Sequence, residues 1–453
     1  MKTALTLKIS ISGVRGVVGD SLTPQLAGRF AAAFGTYAGR GKVIVGRDAR
    51  PSGEMIGNAV FAGLLAVGCQ PVAIGICPIP SVLLLTKELR AQGGIVVTAS
   101  HNPREWNGLK FLSARGLYLR ASEVEEFLDI YHQGEFSFVR AEKHRPVIVE
   151  PRPARYHLAR LLRALDVDLI RRKKIRVVAD CANGAGSVLM PEFLEETLGC
   201  EVTLLNATPD GTFAHQSEPV PENLAGLCRR VREVGADVGF AQDADADRLA
   251  VIDADGKALG EEMTLALAVK YVLGRTPGPV AVNLSTTQAI DDLAAEAGVP
   301  VFRTKIGESN VVEEMLARKA VIGGEGNGGV VWPAVHPCRD SFAAAGLILQ
   351  MMAETGKSVS KLRRQVPAYV MVKERLTGTP EQAHRMLGQL RKIYAAEEIS
   401  TLDGLLIRAG GARVHVRPSN TEPIIRVQAE ARTRKEAARA LGRVKRQLAA
   451  LLK

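Results

Sequence analysis

Short apolar runs alternate with longer amphipathic stretches through the first third of the chain. Residues 42–46 (KVIVG), 72–76 (VAIGI) and 94–98 (GIVVT) predict buried strands. Alanine- and leucine-rich stretches of helical length lie between them, as at 52–67. Such alternation predicts parallel sheets covered on both faces by helices. The rhythm restarts at 175–180, with further strands expected at 201–205, 237–241 and 249–253. It restarts again at 280–283, 299–302 and 320–323, which suggests a duplicated module.

The last block differs. Strands expected at 405–408, 413–417 and 424–430 show partial alternation, and Thr433 with Glu436 forms a capping-box pattern before one closing helix. Few helices separate these strands, so a small antiparallel α+β domain is expected. Pro-containing stretches at 144–153 and 366–373, and a third seam near 253–262, suggest the boundaries. The expected organisation is three related mixed α/β domains (1–150, 151–255 and 256–366) and a smaller C-terminal domain (367–453).

Composition narrows the class. A chain of 453 residues is too long for one hydrophobic core, and no apolar run approaches the ~18 residues of a membrane helix. Residues 1–10 lack an apolar signal core, and the six cysteines include no CxxC pair. Reduced thiols in the cytoplasm are the expectation, with no membrane partner. The formal charge of +11 admits either nucleic acid or small anions as partners. Only 5% of residues are aromatic, and no basic run is interleaved with them, which favours phosphorylated metabolites over nucleic acid.

Four constellations carry candidate chemistry. In residues 242–248 (QDADADR), Asp243, Asp245 and Asp247 would project to one side of an extended segment and repel unless a cation joined them. Their oxygens favour Mg²⁺ or Ca²⁺ over zinc. An EF-hand is excluded because its sixth position is Arg248 and its twelfth Ala254. Arg248 adds a guanidinium fork suited to phosphate. Residues 98–103 (TASHNP) follow a predicted strand, where ligand chemistry gathers in α/β sheets. Ser100 there lacks the G-x-S-x-G setting of a hydrolase nucleophile, and could either carry phosphate beside a metal or merely cap a helix. Residues 417–423 (RPSNTEP), with Arg426, form either a phosphate-holding turn or an ordinary one. Residues 323–329 (GGEGNGG) lack a P-loop ending, but Glu325 and Asn327 offer partners for sugar hydroxyls.

TASHNP, DADADR, GEGNGG and RPSNTEP occur in the order found in the α-D-phosphohexomutase family, and the chain resembles that family over nearly its whole length. Residues 12–16 (SGVRG), 45–48 (VGRD) and 107–110 (NGLK) also fit it, and GEGNGG resembles the archaeal-type phosphoglucosamine mutase branch. The resemblance implies three α/β domains and a smaller fourth around a central cleft. It implies that Ser100 is phosphorylated, that Ser100, Asp243, Asp245 and Asp247 hold Mg²⁺, and that Arg15 and Lys110 stand near the reacting oxygens. Glu325 and Asn327 would then contact the sugar, and Arg417, Ser419, Asn420, Thr421 and Arg426 the non-reacting phosphate. The implied reaction interconverts 6-phospho and 1-phospho hexoses through a bisphosphorylated sugar, with glucosamine phosphate the expected substrate. A dual phosphomannomutase/phosphoglucomutase and an inactive sugar-phosphate-binding protein are the alternatives.

Three positions depart from the family pattern. Ala244 replaces a glycine in the metal loop, Asn327 a serine in the sugar loop, and Gly329 a histidine. Loss of that histidine leaves His101 and His336 as local acid–base candidates. Oligomeric state is not encoded in any of these motifs.

Overall fold

In the computed structural model, which describes residues 7–418 and 424–452, the apolar runs become strands close to their expected places. The strands Glu201–Leu205, Leu249–Asp253 and Val280–Asn283 match the expected limits. Val301–Thr304 and Ile322–Glu325 begin two residues later than expected. Two compact units divide the chain: Met1–Thr264 with Gly328–Leu362, and Leu265–Asn327 with Arg363–Lys453.

The first unit holds a seven-stranded sheet in the order Lys8–Ser10, Gly13–Val17, Trp106–Ser113, Gly93–Val97, Lys42–Arg47, Gln70–Ile76, Ile148–Val149. Parallel pairing is limited to the last four of these strands, so the sheet is mixed, as the expected mixed α/β class allows. The reason is loop length. Parallel neighbours need a crossover of about a dozen residues or more, usually a helix. Residues 98–105 contain no helix, so Trp106–Ser113 returns antiparallel to Gly93–Val97. The four-stranded sheet repeats the pattern: residues 243–248 return Leu249–Asp253 antiparallel to Val238–Gln242. Both chemically loaded loops are therefore short returns between buried antiparallel strands.

Helix Pro24–Ala38 shows how sequence sets such elements. Thr23 caps it by accepting from the Leu26 amide at 3.2 Å, a proline opens its first turn, and Gly39 closes it at φ 80°. Its buried Phe30 and Phe34 pack with Phe111 and Phe127 beside the large sheet. Truncating one such ring to alanine costs about 3–5 kcal/mol.

A buried polar chain joins three helices of this unit. Ser81 Oγ lies 2.9 Å from His157 Nδ1, and His157 Nε2 lies 2.8 Å from Asp340 Oδ2. Asp340 also caps Ser341–Thr355 through the amides of Phe342 and Ala343. All three side chains are buried and bonded to one another, so this series fixes how the three helices pack.

In the second unit, Val280–Asn283 pairs in parallel with Val301–Thr304 and with Ile322–Glu325. The C-terminal sheet is antiparallel throughout, in the order Val370–Thr377, Ile424–Ala431, Ala412–Pro418, Leu405–Ala409, Glu398–Ser400. Helices Pro380–Ile393 and Arg434–Leu452 cover it, and the Thr433/Glu436 capping box is formed, with Glu436 N donating to Thr433 Oγ1 at 3.3 Å. Three α/β sheets and a C-terminal antiparallel sheet thus follow the expected class. Among the described residues, no helix is long and apolar enough to cross a membrane.

Candidate active site

Ser100 is buried, 2% exposed, on the return loop after Gly93–Val97, and its backbone sits in the left-handed region at φ 53°. A non-glycine residue there needs its surroundings to hold it. Its Oγ donates to Asp245 Oδ1 at 3.3 Å, and Lys110 Nζ lies 2.9 Å from the other oxygen of that carboxylate. Lys110 comes from the adjacent strand Trp106–Ser113. Arg15, on Gly13–Val17 opposite Gly108, donates to Asn102 Oδ1 at 3.2 Å within the serine loop.

The three aspartates converge, but not as an extended segment. Residues 243–248 form a tight turn with Ala246 at φ 58°, and an oxygen from each aspartate lies within 4.8 Å of the others. Ala244 lies outside the left-handed region, which explains why alanine is tolerated at this departure from the family glycine. Gly184 makes the close approach instead: a Cβ there would lie 2.5 Å from the Ala244 carbonyl oxygen.

All three aspartates are fully buried. Asp243 Oδ1 accepts from the amides of Asp247 and Arg248 at 3.1 and 3.2 Å. Asp243 Oδ2 and Asp247 Oδ1 accept no hydrogen bond, although Arg248 Nε lies 3.7 Å from each. Burial, then repulsion from Asp247 and Asp245, pushes the Asp243 carboxyl well above its usual range. Burial acts the same way on Asp245, but Lys110, a hydrogen bond with Asp243 and the charge of Arg248 together hold that group low. Buried, close and partly unsatisfied oxygen donors of this kind fit a divalent cation. The trio is able to bind a metal.

Other cations surround it. Arg339 Nη2 reaches Asp247 Oδ2 at 2.5 Å, and burial lowers the pKa of Arg15. Arg248 Nη2 lies 3.5 Å from His101 Nδ1. His101 keeps solvent-facing surface, but desolvation, then the charges of Arg248 and Arg15, push its pKa down to about 3, so the imidazole is neutral at pH 7. His336 is engaged elsewhere, with Nε2 2.7 Å from the Gly116 carbonyl and burial pushing its pKa to about 4.

The remaining candidates belong to the second unit. Glu325 is buried and accepts from Asn283 Nδ2 at 2.8 Å and from the Gly307 amide at 2.9 Å. The neighbouring Ile306 amide donates to Asp403 Oδ2 at 2.9 Å, and Arg417 Nε donates to Asp403 Oδ1 at 3.0 Å. Glu325 and Arg417 are thus linked through two consecutive amides. Arg426 pairs in register with Arg417 on the antiparallel sheet, and Asn327 is half-buried. Ser419, Asn420 and Thr421 lie outside the described residues.

Sequence reading missed Arg50, Arg339, Asn283 and Asp403. Arg339 follows no spacing rule linking it to Asp247, since 92 residues separate them. Arg50 had a local signal, in that it stands two residues beyond the VGRD motif.

Known proteins give this geometry its class. The chain matches four successive phosphoglucomutase/phosphomannomutase models: alpha/beta/alpha domain I at residues 7–138, II at 155–256, III at 261–369, and the C-terminal domain at 370–447. It is 37% identical over 435 residues, 94% of each chain, to a probable phosphoglucosamine mutase of Methanopyrus kandleri. It is 38% identical over 441 residues, again 94% of each, to a phosphoglucomutase/phosphomannomutase of Thermococcus kodakarensis. A crystal structure of a phosphoglucomutase/phosphomannomutase family protein from Burkholderia thailandensis superposes with a TM-score of 0.87 at 26% identity, covering 98% of both chains. The chain belongs to the phosphoglucomutase/phosphomannomutase family and is a phosphohexomutase, an isomerase.

Proposed function

We propose that the protein converts glucosamine 6-phosphate to glucosamine 1-phosphate through a phosphoserine at Ser100. The observation that carries this reading is Ser100 Oγ, 3.3 Å from one carboxylate of a buried aspartate trio whose other oxygen is paired with Lys110. Mg²⁺ is the cation proposed for Asp243, Asp245 and Asp247, where it would neutralise charge on the transferring phosphoryl group. With Ser100 phosphorylated, a sugar hydroxyl oxygen attacks phosphorus. The new O–P bond forms as the Ser100 Oγ–P bond breaks, and the electron pair stays on Oγ. The hydroxyl proton passes to Oγ by way of His101, the candidate carrier, whose lowered pKa makes it a weak base that must hand the proton on at once. Lys110, Arg15 and Arg248 stabilise the charge that develops.

The bisphosphorylated sugar then turns end for end, and the same steps in reverse return its other phosphate to Ser100. Glu325 and Asn327 bind sugar hydroxyls, while Arg417, Ser419, Asn420, Thr421 and Arg426 hold the non-reacting phosphate. None of the six cysteines is in a disulfide, which suits a cytoplasmic location.

Glucosamine is favoured by the GEGNGG loop and by the Methanopyrus relative's name. A dual glucose and mannose activity is the second reading, supported by the Thermococcus relative's name. The deciding experiment measures kcat/KM for glucosamine, glucose and mannose 6-phosphates on the phosphorylated enzyme. Glucosamine 6-phosphate is expected to lead; a higher value for either other sugar replaces the first reading with the second.

A further inference from the structure

Among the described residues, Arg50 is one of the most deeply buried charged groups, with none of its surface exposed, and its side-chain hydrogen bonds go to neither the aspartate trio nor the sugar loop. Its guanidinium has five N–H donors in a fixed plane, and the serine loop receives three of them and the first residue of the following strand a fourth. Nη2 donates to the carbonyl oxygens of Ser100 at 2.6 Å and Asn102 at 2.7 Å. Nη1 donates to those of Pro103 at 2.5 Å and Trp106 at 2.9 Å. The fifth, on Nε, goes to Asp48 Oδ2 at 3.1 Å.

Asp48 closes the circuit. Its Oδ1 accepts the Arg50 amide at 3.0 Å, and its Oδ2 also accepts Thr98 Oγ1 at 2.6 Å. Thr98 Oγ1 in turn accepts the Ser100 amide at 2.9 Å. Ser100 is thereby held from both its N–H and its C=O, and it is the loop residue with the left-handed backbone. The ring of Phe213, its centroid 5.0 Å from the guanidinium carbon, packs against the fork.

We propose that Arg50, acting with Asp48 and Thr98, is a positioning residue for phosphoryl transfer: a clamp that fixes Ser100 in its strained conformation and aims Oγ at the metal site. The inference rests on the reading of Ser100 as the phosphate carrier. A lysine cannot replace this group, because an ammonium has three donors and no plane with which to span four carbonyls. Loss of the fork would free the loop without touching substrate, so it would act on kcat rather than KM. Displacements near 1 Å at a reacting group cost up to about 10²-fold in rate.

The test compares wild type, Arg50→Lys and Thr98→Val. Steady-state kinetics, thermal unfolding and amide hydrogen exchange are measured on each full-length, phosphorylated enzyme. Arg50→Lys is expected to lower kcat by about 10- to 100-fold with KM within about twofold. Faster exchange is expected at residues 99–106, with strand Gly93–Val97 unchanged. Thr98→Val, which fills the same space without the hydroxyl, is expected to lower kcat by a smaller factor in the same sense. A folded Arg50→Lys with wild-type kcat overturns the clamp. If Arg50→Lys does not fold, wild-type kcat in Thr98→Val overturns it. Should wild type turn over no hexose phosphate, the phosphomutase reading falls, and equal exchange at 99–106 in wild type and Thr98→Val overturns the clamp separately.

Discussion

The serine centre of the first unit and the Glu325–Arg417 region of the second handle buried charge in opposite ways. Around Ser100, three aspartates share one tight turn, and two of their oxygens accept no hydrogen bond. In the second unit, Glu325 accepts two N–H groups and Arg417 is already paired with Asp403. One region keeps carboxylate oxygens without hydrogen bonds, and in the other Glu325 and Arg417 both have partners. Under the proposed function, two carboxylate oxygens left without hydrogen bonds would suit a centre that binds a cation and transfers phosphoryl groups, whereas partners that can be exchanged would suit a surface whose ligand must reorient.

Ser100→Ala should break the first side of this comparison most severely. Turnover is expected to fall by more than about 10³-fold in a steady-state mutase assay, with Tm within about 2 °C of wild type. Wild-type-like turnover would remove Ser100 from the chemistry.

Asp243→Asn tests whether the crowded carboxylates are a metal site. Mg²⁺ at about 100 times its Kd should stabilise wild type by about 2.7 kcal/mol in chemical denaturation, and most of this should vanish in the variant. The pH dependence has a definite sign. The carboxyl of Asp243 has an ordinary value of 3.8 and is raised in the folded state, so the metal-free fold holds this proton more tightly than the unfolded chain does. Its contribution is complete below about pH 3.8 and is lost as pH rises through the raised folded value. The stability of metal-free wild type relative to Asp243→Asn should fall across that window. A difference independent of pH would contradict the crowded-carboxylate account.

Arg417→Ala sharpens the other side. If Arg417 exchanges Asp403 for a substrate phosphate, its loss should raise KM by about 30-fold, or about 2 kcal/mol, with kcat nearly unchanged. Stability should change by less than about 1 kcal/mol, because the pair keeps some exposure. A change in kcat alone would move Arg417 out of phosphate binding.

Much of this was readable one segment at a time. The runs at 201–205, 249–253 and 280–283 announce strands because β-branched and apolar residues cluster between turn formers. Thr433 and Glu436 announce a helix start because that cap is made within four residues. The aspartate triplet announces a cation because its charges are adjacent in the chain. Strand direction was less accessible: the same apolar run at 249–253 suits either orientation, and the return through 243–248 decided it.

Ser100, the three aspartates, Glu325 and Arg417 were all nameable from the sequence, since each lies in a compact motif whose chemistry is local. What only the tertiary structure decided is how those motifs are held. Arg50 reaches carbonyls 50 to 56 positions away, Arg339 meets Asp247 across 92, and consecutive amides at Ile306 and Gly307 connect Asp403 with Glu325. Those partners are backbone carbonyls, amides and single charges that any sequence supplies in abundance. Their selection depends on which strands end side by side and on the burial that makes each unmade hydrogen bond costly. The sequence determined the reagents, and the fold determined their supports.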